Sequence, residues 1–262
     1  MGQHTLQSRD HLGSHNDMET PPSYSAPAGR RPPPALPIGE RRVLLSQAVE
    51  MVANGRCPSL IVVGQPGMGK THEVTRTLHA MGLALDHDYF HLKGYTSPRG
   101  LFETLYENNG YLTLFDDCDS ALNDPVAVQL LRAALDSHRI RTISWLSAAK
   151  TRGNLPKTFQ FDGQVIFISN RLVSDIDDAV HSRSLTIDYH MNRREILQHM
   201  EAILPAIECD ASPEQRRSGL EFIRHWAPHI KQLDLRRLVS VLRIITAQPN
   251  NWERLAIHTI TQ

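Results

Sequence analysis

The sequence predicts an α/β fold: a parallel sheet covered by helices on both faces, followed by a small C-terminal all-helical domain. Three observations carry this. Short apolar runs, LIVV at 60–63, YLTLF at 111–115 and VIFI at 165–168, alternate with amphipathic stretches. A glycine-rich turn follows the first run directly. After about Tyr189 the apolar runs stop and only helical periodicity continues.

The elements follow in order. Residues 1–36 contain PPSYSAPAGRRPPPALP without apolar periodicity, so a disordered Pro-rich tail is expected. From Ile38 a helix is expected, with Val43, Leu44, Ala48, Met51 and Val52 at helical spacing and a stop at Gly55. SLIVVG (59–64) is a buried strand, and THEVTRTLHAMG a helix with Val74, Leu78 and Met81 on one face. DYFHLKG (88–94) is a second strand, and SPRGLFETLYENNG a helix opened by Ser97 and Pro98. YLTLF is a third strand, and Asp124-Pro125 opens the helix of NDPVAVQLLRAALDS. RTISWL and KTFQF read as short β segments around a basic loop, and QVIFISN as a buried strand. An α/β domain is thus placed at 37–189. NRREILQHMEAIL, SPEQRRSGLEFIRHW and LDLRRLVSVLRIITA then form a helical domain at 190–262, with WERLAIHTI as a candidate fourth helix.

Composition narrows the function classes. With 28 basic and 28 acidic residues the net charge is zero, which argues against a chain dominated by non-specific phosphate binding but leaves room for a local basic groove. Cys57, Cys118 and Cys209 form no CxxC pair, so a disulfide framework or cysteine zinc site is not expected and a reducing, cytoplasmic setting fits. The apolar runs are too short to span a bilayer, so no membrane partner is expected.

GQPGMGKT, residues 64–71, matches G-x-x-x-x-G-K-[ST] in full. Chance would produce such a match roughly once in a hundred chains of this length. Gly64, Gly67 and Gly69 allow a tight turn that points N–H groups at phosphate oxygens, and Gln65, Pro66 and Met68 complete the loop. Lys70 supplies a cation to the β- and γ-phosphates, and the Thr71 hydroxyl a ligand for Mg²⁺. The partner acid comes from YLTLFDDCDS, 111–120. There Asp116 ends a strand and reads as the metal-shell carboxylate. Asp117 is placed to orient or deprotonate the attacking water, and Asp119 to cap or bind backbone in the turn. A metal site built from Cys118 and the acids competes, but no second cysteine or histidine lies near in sequence.

In this order the motifs resemble those of AAA+ ATPases. GQPGMGKT stands as Walker A, LTLFDD as Walker B and VIFISN as the sensor 1 strand ending in Asn170. DDAVHSRS brings Arg183 to the arginine-finger position, and LDLRRL brings Arg236 as a sensor 2 residue, over about residues 38–250. HLKGYTSPRGLFETLYEN, LFDDCDS, LRAALDS and ISW are more narrowly similar to AAA family ATPases carried by bacteriophages. The resemblance implies a P-loop NTPase fold with a helical lid, Mg²⁺-dependent ATP hydrolysis, a homo-oligomer, and a bacterial or phage-infected host cytoplasm. It implies that Asn170 holds the lytic water or γ-phosphate, that Arg183 reaches a neighbouring subunit's site, and that Arg236 touches phosphates from the lid. The task it implies is remodelling of nucleic acid or protein–nucleic-acid complexes, with single- or double-stranded DNA as partner.

One departure matters: Asp117 stands where the family usually has glutamate. A carboxylate one methylene shorter keeps open a nucleotide-switched interaction module with little hydrolysis. A monomeric P-loop phosphotransferase is the other alternative, and it would need an acceptor-binding insertion that is not evident. Tyr95 is either an aromatic pore-loop residue or a turn tyrosine packed on the next helix. Lys150, Arg152 and Lys157 near Trp145 are either a single-strand contact or a solvated basic loop.

Overall fold

The computed structural model describes residues 36–146 and 155–261. The Pro-rich tail up to residue 35, together with Lys150 and Arg152, lies outside the described residues. Helix α1 (Ile38–Ala53) leads into strand β1 (Ser59–Val63), the phosphate loop and helix α2 (Lys70–Ala80). Then come β2 (Tyr89–Lys93), α3 (Pro98–Glu107) and β3 (Leu112–Asp116), followed by the short α4 (Asp119–Asn123) and by α5 (Pro125–Ala134). Strands β4 (Arg141–Ser144), β5 (Thr158–Phe161) and β6 (Gln164–Ser169) precede one-turn α6 (Asp178–His181) and β7 (Leu185–Asp188). Helices α7 (Arg193–Ile203), α8 (Pro213–Trp226), α9 (Leu235–Ala247) and α10 (Trp252–Ile260) complete the chain.

The main sheet has the order β2-β3-β6-β1-β7, and all of its pairings are parallel. Strands β1 and β3 are buried at every position, which explains their continuous apolar runs. The strand period of two divides the interior. Leu60, Val62, Leu114, Ile166 and Ile168 face α1, α2 and the C-terminal helices. Ile61, Val63, Phe115, Val165 and Phe167 face α3, α4 and α5. Strands β4 and β5 form a separate antiparallel ribbon packed on α3 and α5. Register brings Lys93, Asp116 and Ile168 side by side, with Val63 next to Ser169, so these strand ends line one edge. Ligands of open parallel sheets gather at such an edge.

Two details depart from the sequence reading. The buried stripe of α1 is Leu45, Ala48, Val49 and Val52, whereas Val43, Leu44 and Met51 are exposed. The run VLLSQAVEMV holds two overlapping apolar stripes, and packing against α2 and β1 selects between them. Strand β7 was not anticipated. It is short and half-buried at the sheet edge, with Thr186 and Asp188 diluting its apolar signal. Helices α7, α8 and α9 begin at side-chain caps: Asn192 with Glu195 on α7, Ser212 with Gln215 on α8, and Asp234 on α9. Among the described residues no helix is long and apolar enough to cross a membrane.

Candidate functional site

The turn that leaves β1 is built around two glycines with left-handed backbones, Gly67 at φ +76° and Gly69 at φ +82°. It ends at Lys70, the first residue of α2, which is buried. The Lys70 ammonium donates to the carbonyls of Gly64 (2.6 Å) and Gln65 (3.0 Å) and to Asn170 Oδ1 (3.0 Å). Burial pushes it down to about 8, against the upward pull of Asp117 and Asp116. A desolvated cation held by neutral oxygens, facing a cleft of about 520 Å³, suits a polyanion.

The acids of the 116–119 cluster divide their tasks. Asp116 is buried and accepts the Thr71 hydroxyl at 3.0 and 3.1 Å, with His91 Nε2 at 3.3 Å and Lys93 Nζ at 3.7 Å. Asp117 lies one residue beyond β3 at φ +56°, and its carboxylate accepts from the Asn170 amide at 2.7 Å. Lys70, Asn170 and Asp117 therefore form one hydrogen-bonded chain. Asp119 opens α4 and accepts from the Ser169 hydroxyl at 2.6 Å, fixing the strand end that carries Asn170. Cys118 is buried, its thiol pushed up to about 11 by burial. No group of three or more acid, histidine or cysteine ligands occurs among the described residues. Cys118 packs in the apolar core with Phe115 and Leu122 as a small hydrophobe does.

Helix α9 closes the cleft from the C-terminal side. The Leu235 amide donates to the Gly67 carbonyl at 3.0 Å, and Arg236, Ser240 and Arg243 line the cleft. Arg237 instead donates to the Thr259 carbonyl at 2.8 Å, so Arg236 rather than its neighbour faces the phosphate loop. Arg243 and His91 were missed in the sequence. For Arg243 the signal was present, since it lies seven residues after Arg236 on the same helical face. A side cavity of about 280 Å³ shares Gly69, His72, Leu235 and Val239 with the cleft. It runs on to His199 and Ile203 of α7, past Glu73, which pairs with Arg42 and Arg76. His199 is buried with Nδ1 unpartnered, and burial pushes it down to about 4.

Gly67 through Thr71 line the cleft. Gly64 and Gln65 stand behind it, and the Gln65 side chain clamps the Met191 backbone. Pro66 does not line the cleft, and the Met68 side chain belongs to the core. Arg183 is not brought to this site. It donates to the Ala179 carbonyl at 2.8 Å and lies 3.9 Å from Asp136. Its own carbonyl sits by Ser59, at the opposite end of β1, so a strand length of roughly 15 Å separates it from the loop. Tyr95 is 82% exposed, which removes the reading in which it packs on the following helix.

No family model matches the chain. An uncharacterized 36.7 kDa protein of Enterobacteria phage T4, from the nrdC-mobD intergenic region, is 26% identical over 84% of this chain and 73% of its own length. Two variants of RuvB from Thermotoga maritima superpose with TM-score 0.50 at 11% identity, covering 84% of this chain and 68% of theirs. The fold is that of a P-loop NTPase. The five-stranded parallel sheet flanked by helices and the C-terminal helices carry that likeness.

Proposed function

We propose that the chain binds Mg·ATP in this cleft and hydrolyses it as an AAA+ module, working as a homo-oligomer that remodels DNA or protein–DNA complexes. The observation that carries the proposal is the convergence on one sheet edge of two pairs of groups. Lys70 and Asp117 are linked through Asn170, and Thr71 is bonded to Asp116. Lys70 and the loop amides hold the β- and γ-phosphates, with Arg236 and Arg243 approaching from α9. Thr71 and Asp116 hold magnesium, which when bound neutralises phosphate charge. Asp117 accepts the proton of the attacking water while Asn170 orients it. The side cavity, walled by Ile203, Leu235 and Val239, takes the base. Arg183 serves a neighbouring subunit's site, a reading supported by its place at the far end of β1 from its own loop.

The test is nucleotide binding and phosphate release, with and without single- and double-stranded DNA. Lys70→Ala should weaken ATP binding at least about a hundredfold and abolish turnover. A Lys70→Ala protein that still binds and hydrolyses ATP would sink the assignment. The bond from Asn170 to Asp117 supports a second reading, a nucleotide switch with slow hydrolysis, because it engages the carboxylate that must act as base. Single-turnover hydrolysis no faster than that of an Asp117→Asn variant would favour the switch.

A further inference from the structure

A second cavity, also of about 520 Å³, opens at the opposite end of the sheet, among the loops that enter β1, β3, β4 and β6. Its lining includes Arg56, His138, Arg139, Arg141, Asp162 and Gln164. Arg141 is only 4% exposed. Its Nε and Nη2 donate to the Phe161 and Gly163 carbonyls, and the Phe161 ring lies 4.8 Å from the guanidinium carbon. Nη1 is buried and has no hydrogen-bond partner among the described residues. Asp162 and Asp136 influence Arg141 through their charge, but neither forms an ion pair with it. A buried guanidinium whose hydrogen-bond acceptors are carbonyls, with no carboxylate in contact, keeps a net positive charge that proteins ordinarily relieve with an anion. Arg56 and Arg139 are exposed at the rim, so among the described residues three guanidinium groups face the single lining carboxylate of Asp162.

We propose that this cavity is a second anion site, separate from the nucleotide cleft, that binds a terminal phosphate group. Arg141 forms the charged floor, with Nη1 as an unused donor, and Arg56 and Arg139 close over the phosphate from the rim. A donor at the bottom of a concave site selects a phosphate with free oxygens over a phosphodiester within a strand, and the planar guanidinium matches its geometry. The phosphate can come from a small molecule or from the 5′ end of a nucleic-acid strand.

The test uses full-length protein carrying Lys70→Ala, which removes the phosphate-loop site from the measurement. Inorganic phosphate, a 5′-phosphorylated oligothymidine and its 5′-hydroxyl counterpart are titrated calorimetrically. The phosphorylated strand should bind about tenfold or more tighter than the hydroxyl strand. Adding Arg56→Gln and Arg139→Gln should erase that difference, and these exposed positions leave folding intact. Arg141→Gln should do the same, with circular dichroism checking that the turn it clamps survives. Phosphate and phosphorylated strand binding equally would assign a small-molecule phosphate, and a tighter strand would assign a 5′ end. No binding of phosphate or phosphorylated strand at millimolar concentration, or binding unchanged in the rim double variant, overturns the proposal.

Discussion

Asp117 holds its carboxylate on a left-handed backbone at φ +56°, a conformation that aspartate and asparagine adopt far more readily than longer side chains. The shorter acid is thus matched to its turn, and the hydrogen bond from Asn170 fixes where it points. Asp117→Asn preserves shape and backbone preference but removes the carboxylate proposed as the base. ATP affinity should stay within a few-fold while phosphate release falls by about 10² to 10⁴. An unchanged rate would take Asp117 out of the chemistry. His199 supplies a pH-dependent counterpart. Its buried imidazole, held down at about 4 in the fold, stays neutral, whereas in the unfolded chain it titrates near 6.5. The unfolded state therefore binds more protons below pH 6.5, and stability present above that value is lost as pH falls towards 4. By pH 5 the loss from this one group is about 2 kcal/mol. Urea unfolding at pH 7.5 and pH 5 should show that loss shrinking by about this amount in His199→Gln, with an identical pH dependence in both proteins as the refuting result. The meeting of Asp116 with Thr71 and Lys70 at one sheet edge was legible in the sequence, because the glycine-rich turn and the strand end at Asp116 can both be read from short windows. His199 was not, because its partners come from α1, α2 and α9, and no short window of sequence records that meeting.

The joint between the phosphate loop and α9 shows how elements, rather than single side chains, set the shape of the cleft. Asp234 caps α9 by accepting from the Arg237 amide, and the next residue bonds the Gly67 carbonyl. A Cβ on Gly67 would lie 2.8 Å from Asp234 Cβ, closer than two carbons pack. Gly82 provides the control, since it has a similar φ of +81° and nothing within 4 Å. Gly82→Ala should cost about 1 to 2 kcal/mol of stability from the backbone alone. Gly67→Ala should cost about 1 to 3 kcal/mol more and lower ATP affinity at least tenfold, because the helix start must move away. Equal losses in urea unfolding and unchanged nucleotide affinity would show that the joint does not shape the site. Elements with one dominant pattern were readable: the strands at 59–63, 112–116 and 164–169 are apolar because both faces are covered. The edge strand β7 and the facing of α1 depend on neighbours distant in sequence, so local periodicity left them undetermined.

At the scale of the whole molecule, the proposed function makes the position of Arg183 a test of assembly. The residue sits by the start of β1, and the phosphate loop leaves its end, so one chain cannot bring both to the same phosphate without unpairing β7 from β1. A head-to-tail arrangement removes the conflict, because each interface joins one subunit's loop to the next subunit's arginine. This predicts complementation. Lys70→Ala lacks a working loop but carries Arg183, and Arg183→Ala has the reverse defect, so each alone should show little ATP turnover. In an equal mixture, random assembly makes about a quarter of the interfaces competent, joining an intact loop to an intact arginine. Turnover should therefore rise to about a quarter of the wild-type rate, with a maximum near equal proportions. Light scattering in Mg·ATP verifies assembly, and co-purification of differently tagged variants verifies mixing. If mixed oligomers form and turnover stays at the level of the separate variants, Arg183 acts on no neighbouring site, and the trans arrangement is lost whatever the oligomer's size.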